Sequence, residues 1–374
     1  MKIGISCYPS YGGSGVVATE LAMALAAGGD DVHVISYAPP TRLSLFDAHL
    51  FYHEVLVPHY PLFEYPPYSL ALATKMVEIA RHHRLDLMHV HYAVPNAVSA
   101  VLAKQILAPQ PLPVVTTLHG TDITLVGNDP NYLETTRFGI EQSDAVTTVS
   151  EALRQSTREQ LSVDRPIEVV PNFIDPQRYE AVKDHPGARR WAHEGEKVMV
   201  HISNFRPVKR VADVVKVFSR VRRSIPCRLL LVGDGPERSR VEQQCRELGS
   251  CDSIVFTGNL PAVEEVLVGA DLFLLPSETE SFGLAALEAL ACKVPVVATA
   301  VGGLPEVVSH GETGFLFPVG DVDAMAAAAL ELLTDEERHR SFAETARRQA
   351  LARFEQAAVV AQYRDLYQRV VAGR

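Results

Sequence analysis

Short apolar runs alternate with longer amphipathic segments along most of the chain. In the first half, apolar runs at 2–6, 87–91 and 114–118 end at turn residues, and segments such as 95–107 follow them with helical spacing. Runs of this length predict buried strands, and the spaced segments predict helices that cover them. The pattern therefore predicts an α/β protein built on a parallel sheet with helices on both faces.

The second half repeats this alternation more regularly. Strands are predicted at 198–202, 228–232, 253–256, 272–275 and 294–298, and the chain then reads as helical from Val322 to Val371. Polar and charged residues at 183–197 are typical of a linker. We predict two doubly wound, Rossmann-like domains that face a cleft, at 1–172 and 173–352. The C-terminal helix, 353–374, has the length to pack back on the first domain.

Composition excludes several classes of protein. The 374 residues exceed most single cores, and the formal net charge of −10 argues against nucleic-acid binding. The N-terminus lacks the pattern of a signal peptide, and no apolar run has the length of a membrane span, which predicts a cytoplasmic protein. The five cysteines lack the spacing of a metal or redox motif, so we expect them to be reduced.

The segment Glu280–Glu288 follows the strand at 272–275 and carries two carboxylates eight residues apart. We expect Glu280 in a strand-to-helix turn and Glu288 about two turns into the helix. The backbone N–H groups of 282–284 would then be free to bind an anionic phosphate. Carboxylates accept hydrogen bonds from sugar hydroxyls, so the segment predicts a site for a nucleotide sugar.

Basic residues are predicted at the same edge of the second sheet. Arg206, Lys209 and Arg210 follow the strand at 198–202, and the carboxyl ends of parallel strands lie together. Such residues on a loop are usually solvated. Beside N–H donors and carboxylates, however, they supply the cations that a nucleotide diphosphate requires.

The first half has weaker signals. Gly12, Gly13 and Gly15 form a turn between a strand and a helix, but without the spacing of a dinucleotide motif. His119 follows a buried strand and precedes a glycine, where a functional role is favoured over a structural one. His89 and His91 alternate on a strand without a third ligand nearby, so core packing or hydrogen bonding is favoured over metal binding.

Together these motifs resemble the retaining GT-B glycosyltransferases of family 4. The strongest marker is the Glu280–Glu288 element, followed by Pro295–Ala298 and Gly302–Glu306. The resemblance implies that Glu288 binds the ribose, that Glu280 faces the donor sugar, and that the diphosphate is held by Lys209 and by the N–H groups of Phe282, Gly283 and Leu284. The usual arginine is replaced by Asn204, which leaves Arg206 as the second cation.

Within the family, the motifs at 7–15, 89–93, 116–122 and 203–206 are similar to those of enzymes that transfer N-acetylglucosamine from UDP-GlcNAc to the hydroxyl of L-malate, the first step of bacillithiol biosynthesis. This resemblance implies no cofactor, no metal and retention of configuration. The predicted catalytic residues are His119, Arg206, Lys209 and Glu280. Donor binding is expected at Gly13, Ser14, Asn204, Phe282, Gly283, Leu284 and Glu288, and acceptor binding at Tyr92, Thr117 and Arg137.

Two alternatives stay open at this stage. The first is a family 4 transferase with another acceptor, such as inositol phosphate or a lipid-linked sugar. The second is a nucleotide-sugar-binding module without catalysis, although such a module would be expected to lose some of the residues retained here. No nucleic-acid or membrane partner is expected, and a homo-oligomer is compatible with the sequence.

Overall fold

The computed structural model describes residues 1–9, 12–44, 46–59, 61–182 and 184–373, without the side chain of Leu125. Ser10 and Tyr11 of the first glycine-rich motif lie outside the described residues. The chain forms two compact units, one of residues 1–172 with 357–374 and one of residues 173–356.

The first unit is built on a seven-stranded parallel sheet. Its strands are β1 (Lys2–Ser6), β2 (Asp31–Ser36), β3 (Leu50–Glu54), β4 (Leu87–His91), β5 (Val114–Leu118), β6 (Ala145–Thr148) and β7 (Ile167–Val169). The helices are α1 (Gly13–Ala27), α2 (Tyr68–His83), α3 (Val98–Leu107), α4 (Leu133–Gln142) and α5 (Glu151–Leu161), with helical turns at Ala93–Ala97 and Asp122–Val126. The strand order β3-β2-β1-β4-β5-β6-β7 reverses direction between β1 and β4. Ligands of doubly wound sheets bind at the carboxyl ends of the two strands that flank such a reversal.

The second unit has a six-stranded parallel sheet in the order β10-β9-β8-β11-β12-β13. Its strands are β8 (Lys197–Ile202), β9 (Cys227–Val232), β10 (Ile254–Gly258), β11 (Leu272–Leu275), β12 (Val296–Thr299) and β13 (Gly314–Phe317). Its helices are α6 (Pro176–Ala181), α7 (Val211–Arg222), α8 (Arg238–Glu247), α9 (Glu264–Leu267), α10 (Leu284–Ala291), α11 (Leu304–Val307), α12 (Val322–Thr334) and α13 (Glu336–Phe354), with helical turns at Gly187–Trp191, Pro207–Lys209 and Cys251–Ser253. Here the order reverses between β8 and β11, so the loops after these two strands meet. The predicted α/β class with two parallel sheets is confirmed.

The cores explain why these segments form strands. All residues of β4, β5, β9, β11 and β12 are buried, and the apolar faces of helices such as α7 and α12 pack against their sheet. A strand covered on both faces needs apolar residues at successive positions, which is the pattern that the sequence carries.

The C-terminal region differs from the continuous helical pattern of the sequence. It contains three helices, because the backbone is extended at Asp335, which precedes α13, and at Glu355, which follows it. The side chain of Asp335 accepts a hydrogen bond from the N–H of Arg338 at 2.9 Å and so caps α13. The sequence predicted that the C-terminal helix begins at residue 353. In the structure α13 continues to Phe354 and belongs to the second unit.

The last helix, α14 (Gln356–Ala372), belongs almost entirely to the first unit. Arg364 forms an ion pair with Asp30 at 3.0 Å, and the hydroxyl of Tyr367 lies 2.7 Å from Nδ1 of His89. Both Tyr363 and Tyr367 are fully buried. In the described part of the chain, no helix has both the length and the hydropathy needed to cross a bilayer.

Candidate active site

The loop after β8 is held in one path by His201. Its Nδ1 donates to the carbonyl of Leu274 at 2.8 Å, and its Nε2 accepts from the hydroxyl of Ser203 at 2.8 Å. Burial lowers the pKa of His201 to about 4, so the ring is neutral near pH 7 and can serve both partners. A Cβ on Gly235 would lie 2.0 Å from the carbonyl oxygen of Asn204, which shows how closely the neighbouring loop approaches.

Lys209 and Glu280 come together where the loops after β8 and β11 meet. The Lys209 Nζ donates to Glu280 Oε1 at 2.5 Å, and the Ser277 hydroxyl donates to the same oxygen at 2.9 Å. The two charged side chains retain only 21% and 12% of their exposure. Arg206 lies on the same loop and is half-buried, and no acceptor for its guanidinium is found among the residues that the structure describes. Of the three expected cations, only Lys209 contacts Glu280 in the part of the chain that the structure describes, whereas Arg210 pairs with Asp213. Asn204, on the same loop, is exposed.

The turn after Glu280 is built around glycines. The N–H of Gly303 donates to the Glu280 carbonyl at 2.9 Å, and a Cβ on Gly302 would lie 1.9 Å from that oxygen. Gly283 precedes α10 with φ +94° and would bring a Cβ within 2.5 Å of Leu304. Gly302 requires glycine because a side chain there would displace the backbone of Glu280, and Gly283 requires it because of its positive φ and its contact with Leu304.

Helix α10 begins at Leu284, so Glu288 lies little more than one turn into it. The expectation of two turns was wrong, because the preceding residues are not helical. The first N–H groups of this helix have no partner within it. Phe282 is buried and packs edge-on against Phe354 at 5.5 Å, which anchors the start of the helix. Glu288 itself is 6% exposed.

In the first unit, hydroxyl groups gather after β1 and β4. The hydroxyl of Tyr92 lies 2.8 Å from Ser14 Oγ and 3.2 Å from Thr121 Oγ1. Tyr92 has φ +80°, and its ring is packed against Tyr8 and His119, at 5.3 and 5.4 Å. Gly13 is exposed at the start of α1, where the first N–H groups are free of helical partners.

His119 joins this group through the loop after β5. Its Nε2 lies 2.8 Å from Nδ1 of His91, and its backbone N–H donates to Asp122 Oδ1 at 3.2 Å. Burial lowers the pKa of His119 to about 3 and raises that of Asp122 to about 6. Near pH 7 the imidazole is therefore neutral, and it can accept or donate a hydrogen bond without carrying charge.

Thr117 lies in the interior of the sheet. It is fully buried, and its hydroxyl is 2.7 Å from His89 Nε2 and 2.6 Å from Thr147 Oγ1. Thr117 contacts Tyr92 only through its carbonyl, which accepts from the Tyr92 N–H at 3.0 Å, and the threonine hydroxyl beside the Tyr92 hydroxyl is that of Thr121, which was not among the expected site residues. It stands in the same motif, 116–122, but periodicity does not tell which threonine hydroxyl leaves the sheet.

Arg137 has different surroundings from the other expected acceptor residues. Its Nε donates to the carbonyl of Leu161 at 2.8 Å, and its Nη1 lies 3.7 Å from Glu134. In the described part of the chain, its hydrogen bonds and ion pairs do not include Tyr92, Ser14 or His119. The bond to Leu161 occupies only Nε of the guanidinium.

Each unit thus presents a distinct set of groups at its sheet reversal. The second unit has cations, helix N–H groups and carboxylates, while the first has hydroxyls and a neutral imidazole. The set of groups in the second unit is complementary to a diphosphate that carries sugar hydroxyls. Fold and site together define a glycosyltransferase of the GT-B class.

Comparisons with known proteins specify the family. Residues 11–178 match the family model described as Glycosyltransferase Family 4, and residues 188–349 match that of glycosyl transferases group 1. The chain is 48% identical to N-acetyl-alpha-D-glucosaminyl L-malate synthase of Bacillus anthracis over 98% of this chain and 96% of that protein. The chain therefore belongs to glycosyltransferase family 4.

Solved structures agree on the fold. Sucrose-phosphate synthase from Thermosynechococcus elongatus superposes with a TM-score of 0.82 at 24% identity, covering all of both chains. HepE from Anabaena, in complex with UDP and glucose, gives 0.82 at 21% identity over 99% of this chain and all of its own. At such identities the likeness describes architecture alone, and it confirms the predicted GT-B fold.

Proposed function

We propose that the protein transfers N-acetylglucosamine from UDP-GlcNAc to the hydroxyl of L-malate and releases UDP, the first step of bacillithiol biosynthesis. The observation that carries this assignment is the 48% identity to the malate synthase of Bacillus anthracis over nearly all of both chains. The site residues support it, because the second unit has groups that can bind a nucleotide sugar and the first unit has hydroxyls that can bind a carboxylate acceptor. The reaction has retention of configuration at the anomeric carbon.

In this proposal the second unit binds UDP-GlcNAc. Lys209 and Arg206 neutralise the diphosphate, and the N–H groups at 282–284 donate to it. Glu288 accepts from the ribose hydroxyls, and Glu280 accepts from a hydroxyl of the donor sugar. Lys209 then has two successive partners, the Glu280 carboxylate in the free protein and the diphosphate in the complex.

The first unit supplies the acceptor groups. Tyr92, together with Ser14 and Thr121, offers hydroxyls that can donate to a malate carboxylate. The guanidinium of Arg137 supplies charge for the same anion, since its terminal nitrogens are not used by the Leu161 carbonyl. The N–H groups of Gly13 and Ser14 donate to the donor phosphate. Thr117 acts indirectly by holding His89 and the strand β5 in place.

The bond from the anomeric carbon to the UDP oxygen breaks, and a bond to the malate hydroxyl oxygen forms on the same face. The malate hydroxyl proton passes to the departing phosphate, so no separate protein base is needed. Lys209 and Arg206 stabilise the charge that develops on UDP, which lowers the barrier because this charge is largest in the transition state. Neutral His119 positions the transferred sugar. We propose that no metal takes part, because Lys209, Arg206 and the helix N–H groups assigned to the diphosphate can supply the charge stabilisation that a metal would give.

The test measures UDP release from UDP-GlcNAc with L-malate, inositol phosphate or water as the acceptor, with and without a chelator. Release that malate accelerates far above the water rate, and that the chelator does not reduce, is the expected result. Release that is no faster with malate than with water rules out the malate assignment. Faster release with inositol phosphate would favour another family 4 acceptor. A cytoplasmic location and a homo-oligomer stay predictions that this assay does not address.

A further inference from the structure

Three histidines of the first unit form a cluster separate from the residues assigned to the active site. His33 lies on β2, His53 on the edge strand β3, and His83 is the last residue of α2. Nδ1 of His33 is 2.9 Å from Nε2 of His53. The ring of His83 lies 4.1 Å from that of His33 and 5.5 Å from that of His53. One ligand atom from each of the three lies within 4.8 Å of the others.

We propose that His33, His53 and His83 bind a divalent transition-metal ion of the zinc class, with water as the fourth ligand. Imidazole nitrogens bind zinc at about 2.0–2.1 Å, so nitrogens in a tetrahedral site lie about 3.4 Å apart and cannot exceed about 4.2 Å. The hydrogen-bonded pair, at 2.9 Å, is closer than this, and the separations within the set extend to 4.8 Å. Binding of one ion therefore requires the side chains of the cluster to adjust.

The form of imidazole that binds metals is the neutral one. His33 is 2% exposed, and its ring is held beside that of His53 by a hydrogen bond. The hydrogen bond between the two rings uses one N–H, and the ring that donates it must move this proton to its other nitrogen when the metal replaces the bond. No net proton is released by that exchange.

Two features of the fold support a cation here. His83 ends α2, and the C-terminus of a helix carries partial negative charge that stabilises a nearby cation. Phe51 stacks on His33 at 4.8 Å and covers one side of the cluster. Of the charged groups that act on the cluster, Glu78 pairs with Lys75 and Asp31 pairs with His49, while the positive charge of Lys2 acts on His33 and His83 and opposes a bound cation.

A bound ion would join three separate elements of the first unit. Strand β3 is the first strand in the sheet order and pairs with β2, while α2 packs on the same sheet. The metal would tie this edge to the end of α2 and so stabilise the folded state against unfolding. If the three rings are only packing partners, zinc will neither bind at a saturable site nor raise the melting temperature.

The experiment uses untagged protein treated with a chelator and then dialysed, so that no histidine tag contributes. Zn²⁺ binding is measured by competition with a chromophoric chelator, and Co²⁺ is added separately to record visible absorption of a four-coordinate ion. We expect one saturable Zn²⁺ per chain and a rise in the melting temperature. His53→Gln and His83→Gln should each weaken binding by at least about tenfold.

The matched control is His49→Gln, since His49 lies just before β3 but outside the cluster. It should bind Zn²⁺ like the unchanged protein, and all variants should keep their UDP-release activity in the absence of zinc. The proposal is overturned if the unchanged protein shows no saturable site, or if both cluster variants bind zinc as well as the control. Two variants are used so that a folding defect in one, visible by circular dichroism, does not decide the outcome. Because the readout is metal binding, it is independent of the malate assignment.

Discussion

The ammonium of Lys209 and the carboxylate of Glu280, 71 residues apart in the sequence, are hydrogen-bonded at 2.5 Å. The two residues follow β8 and β11, the strands at which the order of the second sheet reverses. In the free protein each charge neutralises the other at a largely buried position, and this keeps both side chains ordered before the donor binds.

Replacing Lys209 by methionine should reduce kcat/KM for UDP-GlcNAc by about 10²–10³-fold, because one cation that stabilises the departing diphosphate is lost. The variant also leaves the Glu280 carboxylate without its cationic partner, so some stability should be lost. Steady-state kinetics and a thermal melt measure the two effects. Lys216→Met is the matched control, since Lys216 is an exposed lysine of α7 that also pairs with a carboxylate, that of the buried Asp213. Equal losses in both variants would contradict the assigned role.

Gly302→Ala should weaken UDP binding, because its Cβ would lie 1.9 Å from the Glu280 carbonyl oxygen at a residue with φ +51°. Gly311→Ala is the control for backbone strain alone. Gly311 also has a positive φ, +80°, but an added Cβ would have nothing within 4 Å and so would displace no neighbour. Each variant should lose about 1–2 kcal/mol of unfolding free energy through the left-handed backbone, and Gly302→Ala should lose more because its contact with the Glu280 carbonyl adds to this strain. Calorimetric titration with UDP should show weakened binding only for Gly302→Ala.

Tyr92→Phe removes a hydroxyl that contacts Ser14 and Thr121 but keeps the ring against His119. We expect KM for malate to rise about tenfold, which corresponds to one lost hydrogen bond to a charged group, while UDP affinity stays the same. Kinetics at saturating UDP-GlcNAc measure the first quantity, and UDP titration measures the second. An unchanged KM for malate would place the acceptor elsewhere.

Arg137→Ala should raise KM for malate and leave UDP binding nearly unchanged, because the guanidinium is assigned to the acceptor anion. Loss of the bond to the Leu161 carbonyl should also lower stability slightly. Arg154→Ala is the control, since Arg154 pairs with Glu151 on the exposed face of α5. Lower stability with unchanged KM would mean that Arg137 only supports the end of α5.

Stability should fall as the pH drops below about 6.5, because histidines buried in the neutral form take up protons on unfolding. Burial lowers the pKa of His89 to about 3, so between pH 3 and 6.5 the unfolded chain binds more protons than the folded one at this residue. At pH 5 the loss is at most about 2 kcal/mol for one such histidine.

The variant that tests this pH dependence is His89→Gln, because glutamine can retain bonds to Tyr367 and Thr117. Between pH 7 and pH 5 it should lose about 2 kcal/mol less unfolding free energy than the unchanged protein, as measured by denaturant titration. His49→Gln should not reduce the loss, since His49 is exposed and its pKa is raised by Asp31. An identical pH slope in all three proteins would contradict the prediction.

The site could be predicted from the sequence where its residues follow strands. Lys209 and Glu280 were expected together because parallel strands end at one edge, and their bond agrees with that expectation. Thr117 and Thr121 could not be told apart, since the direction of a hydroxyl at the end of β5 depends on how the sheet packs. The histidine cluster was likewise missed, because its members are 20 and 30 residues apart and no motif links them.

The sequence by itself determined the succession of strands and helices, since buried parallel strands require apolar runs and turns require glycine. It also determined which residues carry charge at the strand ends. Only the tertiary structure decided the strand order, the breaks at Asp335 and Glu355, and the side-chain partners of Thr117, Thr121 and Arg137. The reason is physical: local spacing sets the conformation of a segment, whereas hydrogen-bond partners depend on elements that are distant in the chain and close only after folding.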